Sequence, residues 1–94
     1  MMPAASAPLV VDIAQLSARI SKTGQSCRLE SPEVARWLQI LADRPNTWVS
    51  TAALEQLDPE LSGQRVERLR QKLHRSLAKL VEVKRGKGAR LVVR

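Results

Sequence analysis

The longest regular pattern of apolar positions runs from Gln64 to Leu80, in the sequence QRVERLRQKLHRSLAKL. At about 100° per residue, its apolar side chains fall on one narrow stripe, at the three- and four-residue spacing of a helix that buries one face. The members of this stripe are Val66, Leu69, Leu73, Leu77 and Leu80. The pattern therefore predicts one continuous helix over residues 64–80.

A second stripe of the same helix carries only cations, about a third of a turn away from the apolar one. Its members are Arg65, Arg68, Lys72, Arg75 and Lys79. Neighbouring like charges on a helix repel each other by a few tenths of a kcal/mol (roughly 0.2–0.5), so nothing within the helix explains the stripe. An external polyanion would explain it, and the alternative is a solvated basic face on an ordinary surface helix.

Capping signals predict two shorter helices earlier in the chain. Ser-Pro-Glu at residues 31–33 supplies a hydroxyl cap, a proline at the first helical position and an anion in the first turn. The helix that follows is predicted over residues 32–43. Ser50 is the predicted cap of a second helix over residues 51–57, and residues 48–49 before it are expected to be extended.

The segment 9–29 fits two kinds of element. Alternating apolar residues and a Thr-Gly turn at residues 23–24 predict three short antiparallel strands. The apolar residues between Leu9 and Ile20 also recur at helical spacing, ahead of a glycine that could end a helix. Periodicity alone leaves both interpretations open. Residues 1–8, which are small and rich in Pro and Ala, predict a disordered leader.

A predicted hairpin follows the basic helix. Residues 81–85 and 90–93 can pair as strands around a Gly-Lys-Gly tip at 86–88, because glycine accepts positive φ. A structural hairpin needs these glycines but has no use for several cations around them, whereas a phosphate backbone or a narrow minor groove attracts such cations. The cations on or next to the tip are Lys84, Arg85, Lys87 and Arg90.

The formal net charge of +7 over 94 residues is unevenly distributed. Residues 1–62 carry five basic and seven acidic side chains, a net charge of −2, and residues 63–94 carry eleven basic and two acidic ones, a net charge of +9. A one-sided field of this kind is typical of proteins that bind nucleic acids. An anionic membrane or an acidic protein would fit the charge equally well, but the basic helix lacks the Trp or Phe anchors of membrane-surface helices.

Other classes of function find little support in the sequence. A single cysteine, Cys27, cannot form an internal disulfide, and there is no signal peptide or long apolar run, so a cytoplasmic protein is expected. The chain has no paired catalytic carboxylates, metal-ligand spacing or phosphate-binding glycine loop, so we expect neither an enzyme nor a cofactor. His74 is expected at the surface, and Trp37 and Trp48 are expected in the core.

The order of these elements resembles the winged helix-turn-helix DNA-binding domains of OmpR/PhoB-type response regulators. The matching segments are LESPEV at 29–34, WVSTAAL at 48–54, VERLRQKL at 66–73 and VKRGKGARLV at 83–92. The resemblance implies an α+β domain over residues 9–94, with an N-terminal antiparallel sheet, three helices and a C-terminal hairpin called the wing. It therefore favours strands over a helix in the N-terminal segment.

The resemblance also implies a function, which is sequence-specific binding of double-stranded DNA by a bacterial transcriptional regulator, as a monomer or a homodimer. Arg68 would face base edges in the major groove, and Arg85 would reach the minor groove. The resemblance would place further cations at or near the phosphates, namely Arg65, Arg70 and Lys72. Arg70 also sits between the apolar stripe and the solvent side of the helix, so packing of its stem against the wing is an equal alternative for this residue. The loop over residues 58–63 corresponds to one that often contacts RNA polymerase in the family.

The predicted DNA-binding set combines the basic helix with the hairpin. It comprises Gln64, Arg65, Arg68, Gln71, Lys72, Arg75, Lys84, Arg85, Lys87 and Arg90. Two residues depart from the family pattern: Glu67 puts an anion beside the base-facing arginine, and Ala89 replaces an aromatic residue of the wing. Two alternatives stay open, a winged-helix module that docks its basic face on an acidic protein and a protein that binds structured RNA.

Overall fold

The computed structural model describes residues 8–92 of the chain, which form a small α+β fold with two antiparallel sheets. The strands are β1 (Leu9–Asp12), β2 (Ser17–Ile20), β3 (Ser26–Arg28), β4 (Val81–Lys84) and β5 (Gly88–Leu91). The helices are α1 (Pro32–Asp43), α2 (Thr51–Leu57), α3 (Val66–Gln71) and α4 (Arg75–Ala78), with a 3₁₀ turn at Pro59–Leu61. Apart from Pro8, the predicted leader lies outside the described residues.

The first sheet has the strand order β1-β2-β3. Leu9 lies opposite Ile20, and Ala18 lies opposite Cys27. All four side chains are buried, so the two-residue alternation places one face of the sheet on the core. The prediction of three short strands is confirmed. The helical alternative is wrong, because Leu16 adopts a left-handed φ of 51° in the turn between β1 and β2, a conformation that no α-helix tolerates.

The helices α1 and α2 have the predicted bounds. The Ser31 hydroxyl accepts a hydrogen bond from the Val34 backbone N–H at 3.4 Å, and the Ser50 hydroxyl accepts one from that of Ala53 at 3.1 Å. Each bond satisfies a donor that the first turn of a helix leaves without a partner. α1 passes through the centre of the core, where its Trp37 is fully buried, as predicted.

The prediction of one helix over residues 64–80 is wrong, because this segment forms α3 and α4. The described chain therefore has four α-helices rather than three. α3 ends at Gln71, and the N–H of the following residue, Lys72, donates to the carbonyl oxygen of Leu69 at 3.2 Å, a 3₁₀-type bond. His74 is extended, and its Nδ1 accepts a hydrogen bond from the Ser76 N–H at 3.1 Å, which caps α4. The apolar stripe nevertheless continues through the break: Val66, Leu69, Leu73 and Leu77 are all buried.

The second sheet is the predicted hairpin of β4 and β5. Its turn occupies residues 85–87, one residue earlier than predicted, because Gly88 is already the first residue of β5. Gly88 has a φ of 101°, and a Cβ at this position would collide with the carbonyl oxygen of Val49. The backbones of Val49 and Ala89 exchange two hydrogen bonds, at 2.8 and 3.1 Å. The hairpin is therefore fixed to the extended segment before α2. The predicted end of its second strand at Val93 lies outside the described residues.

Candidate nucleic-acid interface

An open groove of about 880 Å³ lies between α2, α3 and the turn of the hairpin. It brings together five of the predicted DNA-binding residues, namely Gln64, Arg65, Arg68, Gln71 and Arg85. Its remaining lining residues are Thr51, Glu55, Gly63 and Glu67. Side chains from the start of α3 and from the hairpin turn therefore share one surface, although about twenty residues separate them in the sequence.

The packing of α3 explains why its polar side chains face this groove. Val66 and Leu69 are buried against the core. Because a helix that buries one stripe must expose the opposite one, Glu67 and Arg68 are exposed. Arg65 immediately precedes the helix and is also exposed. The amphipathic pattern read from the sequence is therefore sufficient to orient α3.

The arginines of the groove have no ion-pair or hydrogen-bond partner for their side chains in the part of the chain that the structure describes. The ion pairs found among residues 8–92 involve only Arg36 and Arg90 among the cations. Within that same part of the chain, Arg65, Arg68 and Arg85 form no ion pair or side-chain hydrogen bond with another residue. Three guanidinium groups, each with five N–H donors, are thus available to an external acceptor.

The connection that leads into α3 is held by an ion-pair cluster, which we call the Arg36 clamp and which consists of Arg36, Asp58 and Glu60. Arg36 of α1 contacts Asp58 at 2.9 Å and Glu60 at 2.8 Å. The hydrogen bond from the Arg36 guanidinium, together with its positive charge, lowers the pKa of Glu60 below its ordinary value. Because these carboxylates belong to the 3₁₀ turn and its cap, the clamp positions the segment from which α3 starts.

The predicted site residue Arg90 has internal partners instead. Its guanidinium lies 2.7 Å from a carboxylate oxygen of Glu82 and 4.6 Å from the ring centre of Trp48. Lys87 also approaches this ring, at 5.9 Å. Trp48, expected in the core, is only half-buried, so its ring is a platform for hairpin cations, a cation–π arrangement. Lys87 and Arg90 therefore do have a structural use in the hairpin, and the expectation that a structural hairpin has no use for its cations is wrong for these two residues.

Arg90 also lies on a different surface from Arg85. It lines a second groove, of about 590 Å³, together with Arg70 and Lys79. Arg70 donates from Nε to the carbonyl oxygen of Val81 at 2.9 Å and from Nη2 to that of Ala78 at 3.2 Å. This side chain ties α3 to α4 and β4, so its guanidinium is engaged within the fold rather than directed at phosphates as the resemblance implies.

The remaining predicted site residues are exposed but lie outside the lining of the first groove. Lys72 follows the last residue of α3, Arg75 begins α4, and Lys84 ends β4. Sequence reasoning in turn missed Thr51 and Glu55 of α2 as groove residues. In the sequence, the four-residue spacing of Thr51 and Glu55 places both on one face of α2. That spacing does not indicate which other element packs beside this face.

His74 is exposed, as expected. Its Nδ1 lies 3.8 Å from the Sγ of the buried Cys27, and Gln25 donates to the Ser76 hydroxyl at 3.0 Å. These contacts connect the first sheet to α4. Within residues 8–92, no three His, Cys, Asp or Glu side chains come together in a group that could hold a metal ion.

Comparisons with known proteins add no family assignment. No protein-family model matches the sequence, and no curated protein matches it either. Over the described part of the chain, no helix has both the length and the apolar character needed to cross a membrane.

Proposed function

We propose that this protein binds double-stranded DNA and regulates transcription, through a winged helix-turn-helix arrangement. In this proposal α2 and α3 form the helix-turn-helix, α3 enters the major groove, and the β4–β5 hairpin is the wing. One observation carries the proposal: Arg65, Arg68 and Arg85 line one open groove, and none of them has a partner within residues 8–92. Exposed, unpaired guanidinium groups suit phosphates and guanine edges.

The proposed roles follow from position. Arg68, on the exposed face of α3, contacts base edges, and Gln64 and Gln71 on either side of it are amides of the type that recognise adenine. Arg65 contacts a phosphate at the start of α3. Arg85, in the hairpin turn, reaches the neighbouring backbone or minor groove, where narrow A·T-rich grooves attract arginine. Lys72, Arg75 and Lys84 add phosphate contacts at the edges, whereas Lys87 remains at the Trp48 ring and Arg90 remains with Glu82.

The test measures affinity for a duplex of random sequence as a function of salt concentration. DNA binding that neutralises phosphates gives a logarithmic salt slope of about −0.9 per phosphate. Replacing Arg65, Arg68 and Arg85 by Ala should reduce the magnitude of this slope by about two, because Arg65 and Arg85 lie at the DNA backbone whereas Arg68 contacts a base. The control replaces three exposed arginines outside the groove, Arg19, Arg28 and Arg44, which lowers the net charge equally and should leave most of the slope in place.

Two outcomes would overturn the proposal. Equal loss of slope in both triple variants would mean that total charge, rather than the groove, drives binding. An absence of duplex binding even at low salt would favour the alternative, a protein-interaction module that docks on an acidic partner. A parallel competition with double-stranded RNA separates DNA binding from RNA binding, because the proposed contacts need a major groove that A-form RNA does not open to side chains.

A further inference from the structure

The groove contains carboxylates as well as guanidinium groups. Glu55 of α2 and Glu67 of α3 line the same groove as Arg68. Within residues 8–92, neither carboxylate has an ion-pair partner. Elsewhere in the described chain, Glu60 and Glu82 are held by arginines. The groove thus exposes unpaired charges of both signs.

A surface that binds only phosphates gains nothing from a carboxylate, because the two anions repel each other. The edges of bases differ in this respect. In the major groove, guanine presents the acceptors N7 and O6, cytosine presents the N4 amino donor, and thymine presents the acceptor O4. A guanidinium therefore suits guanine, a carboxylate suits cytosine, and the same carboxylate is repelled by thymine. Adenine also presents an amino donor, N6, but this donor stands beside the acceptor N7, which repels a carboxylate, so a groove of mixed sign suits G·C pairs better than A·T pairs.

We propose that Glu67 is a specificity-determining residue that accepts a hydrogen bond from the N4 amino group of cytosine, beside a guanine contacted by Arg68. This inference rests on the proposed function. Consecutive residues of an α-helix are 1.5 Å apart along the axis and about 100° apart around it, so Glu67 and Arg68 reach different bases of the same or neighbouring pairs. Glu55 of α2 lines the same groove, and its negative charge disfavours binding of a phosphate there. The protein therefore selects duplexes with G·C pairs under α3.

The experiment selects bound sequences from a random DNA pool with the wild-type protein. We expect a cytosine at a fixed position of the selected site. Replacing that C·G pair by T·A should weaken wild-type binding about tenfold, within the range of a single mismatched pair. Glu67→Gln should bind the two duplexes within about twofold of each other and should bind a random duplex at least as tightly as the wild type, because a repulsive charge is gone.

The matched control is Glu30→Gln, which makes the same change of charge at an exposed residue outside the groove. It should keep the tenfold preference. A preference that persists in Glu67→Gln, or a wild-type selection without a fixed cytosine, would overturn the inference. Salt-dependent binding of a random duplex, measured in the same series, would still support DNA binding in those two cases. Its absence would overturn the proposed function, and the inference with it.

Discussion

Arginine lies beside carboxylates in two regions of this molecule, with different results. In the Arg36 clamp, the guanidinium contacts Asp58 and Glu60 at 2.9 and 2.8 Å. In the groove beside α3, Arg68 and Glu67 form no ion pair with each other or with any other part of residues 8–92. The clamp satisfies its charges internally and holds a turn. The groove leaves its charges available, which is what a binding surface requires.

The same contrast divides the basic segment itself. Arg70 and Arg90 belong to the strongly positive residues 63–94, but both are engaged with partners inside the fold. Arg65 and Arg85 have no such partner within residues 8–92. Net charge therefore overstates the number of cations that the segment can offer to a partner. The useful quantity is the number of guanidinium groups without an internal acceptor.

The largest expected effect concerns the support of the groove. Leu69→Ala should lower the free energy of unfolding by about 2–5 kcal/mol, because the side chain is fully buried and its removal leaves a cavity. Urea denaturation measures this. Leu57, which is 46% exposed at the end of α2, is the control, and Leu57→Ala should cost within about 0.5 kcal/mol. Similar costs for both variants would mean that α3 is not anchored and that the groove is not a fixed surface.

The next prediction separates recognition of bases from electrostatic attraction to the DNA backbone. Arg68→Ala should remove about 1–3 kcal/mol of discrimination between the selected site and a random duplex, the value of one good contact to guanine. Competition binding with the two duplexes measures this difference. Arg44→Ala removes an equal charge at an exposed position outside the groove, and its discrimination should match that of the wild type. Unchanged discrimination in Arg68→Ala would place base recognition elsewhere.

A smaller effect is expected from Lys72, the exposed cation that follows α3. Lys72→Ala should weaken binding to all duplexes alike and should reduce the magnitude of the logarithmic salt slope by about one, because it removes one phosphate contact. Lys22→Ala, at an exposed turn of the first sheet, serves as the control and should leave the slope unchanged. A change in sequence preference, rather than in slope, would show that Lys72 reads bases.

The smallest effect tests the Arg36 clamp. The folded state lowers the pKa of Glu60, since Arg36 favours the ionised form. Its contribution to stability is therefore present above the ordinary glutamate pKa, about 4.3, and is lost as the pH falls through the lowered value. Urea midpoints between neutral and acidic pH should show this loss in the wild type but not in Glu60→Gln. If the urea midpoints of the two proteins fell equally with pH, the Arg36 clamp would contribute no stability.

Local signals predicted much of this fold. The first residues of α1 and α2 follow from Ser31 and Ser50, because a cap depends only on residues within one turn. The strands of the first sheet needed the resemblance to decide between two periodicities. The break between α3 and α4 was not predicted, because the apolar stripe passes through it. It depends on the His74 ring as a cap and on the bonds from Arg70 to the carbonyl groups of Ala78 and Val81, none of which follows from hydrophobic spacing.

The groove was predicted in part for a similar reason. The exposed face of α3 follows from its buried one, so Arg65 and Arg68 were correctly grouped. The contribution of Glu55 depends on how α2 packs beside α3, which no local pattern contains. The sequence placed all hairpin cations in one binding site, but contacts with Glu82 and Trp48 hold the Arg90 side chain on a different surface from Arg85. Contacts between side chains that are distant in sequence thus decide which cations remain free to bind an external partner.

In the proposed DNA complex, the early end of α3 limits the length of the site that one copy of the chain recognises. A helix of six residues is about 9 Å long, which spans about three base pairs at 3.4 Å each. A DNA site of about three base pairs recurs many times in a genome that offers about 10⁶ or more competing sites. Under the proposed function, recognition of a unique genomic site therefore requires several copies of the protein bound side by side, and the spacing between their binding sites adds to the specificity.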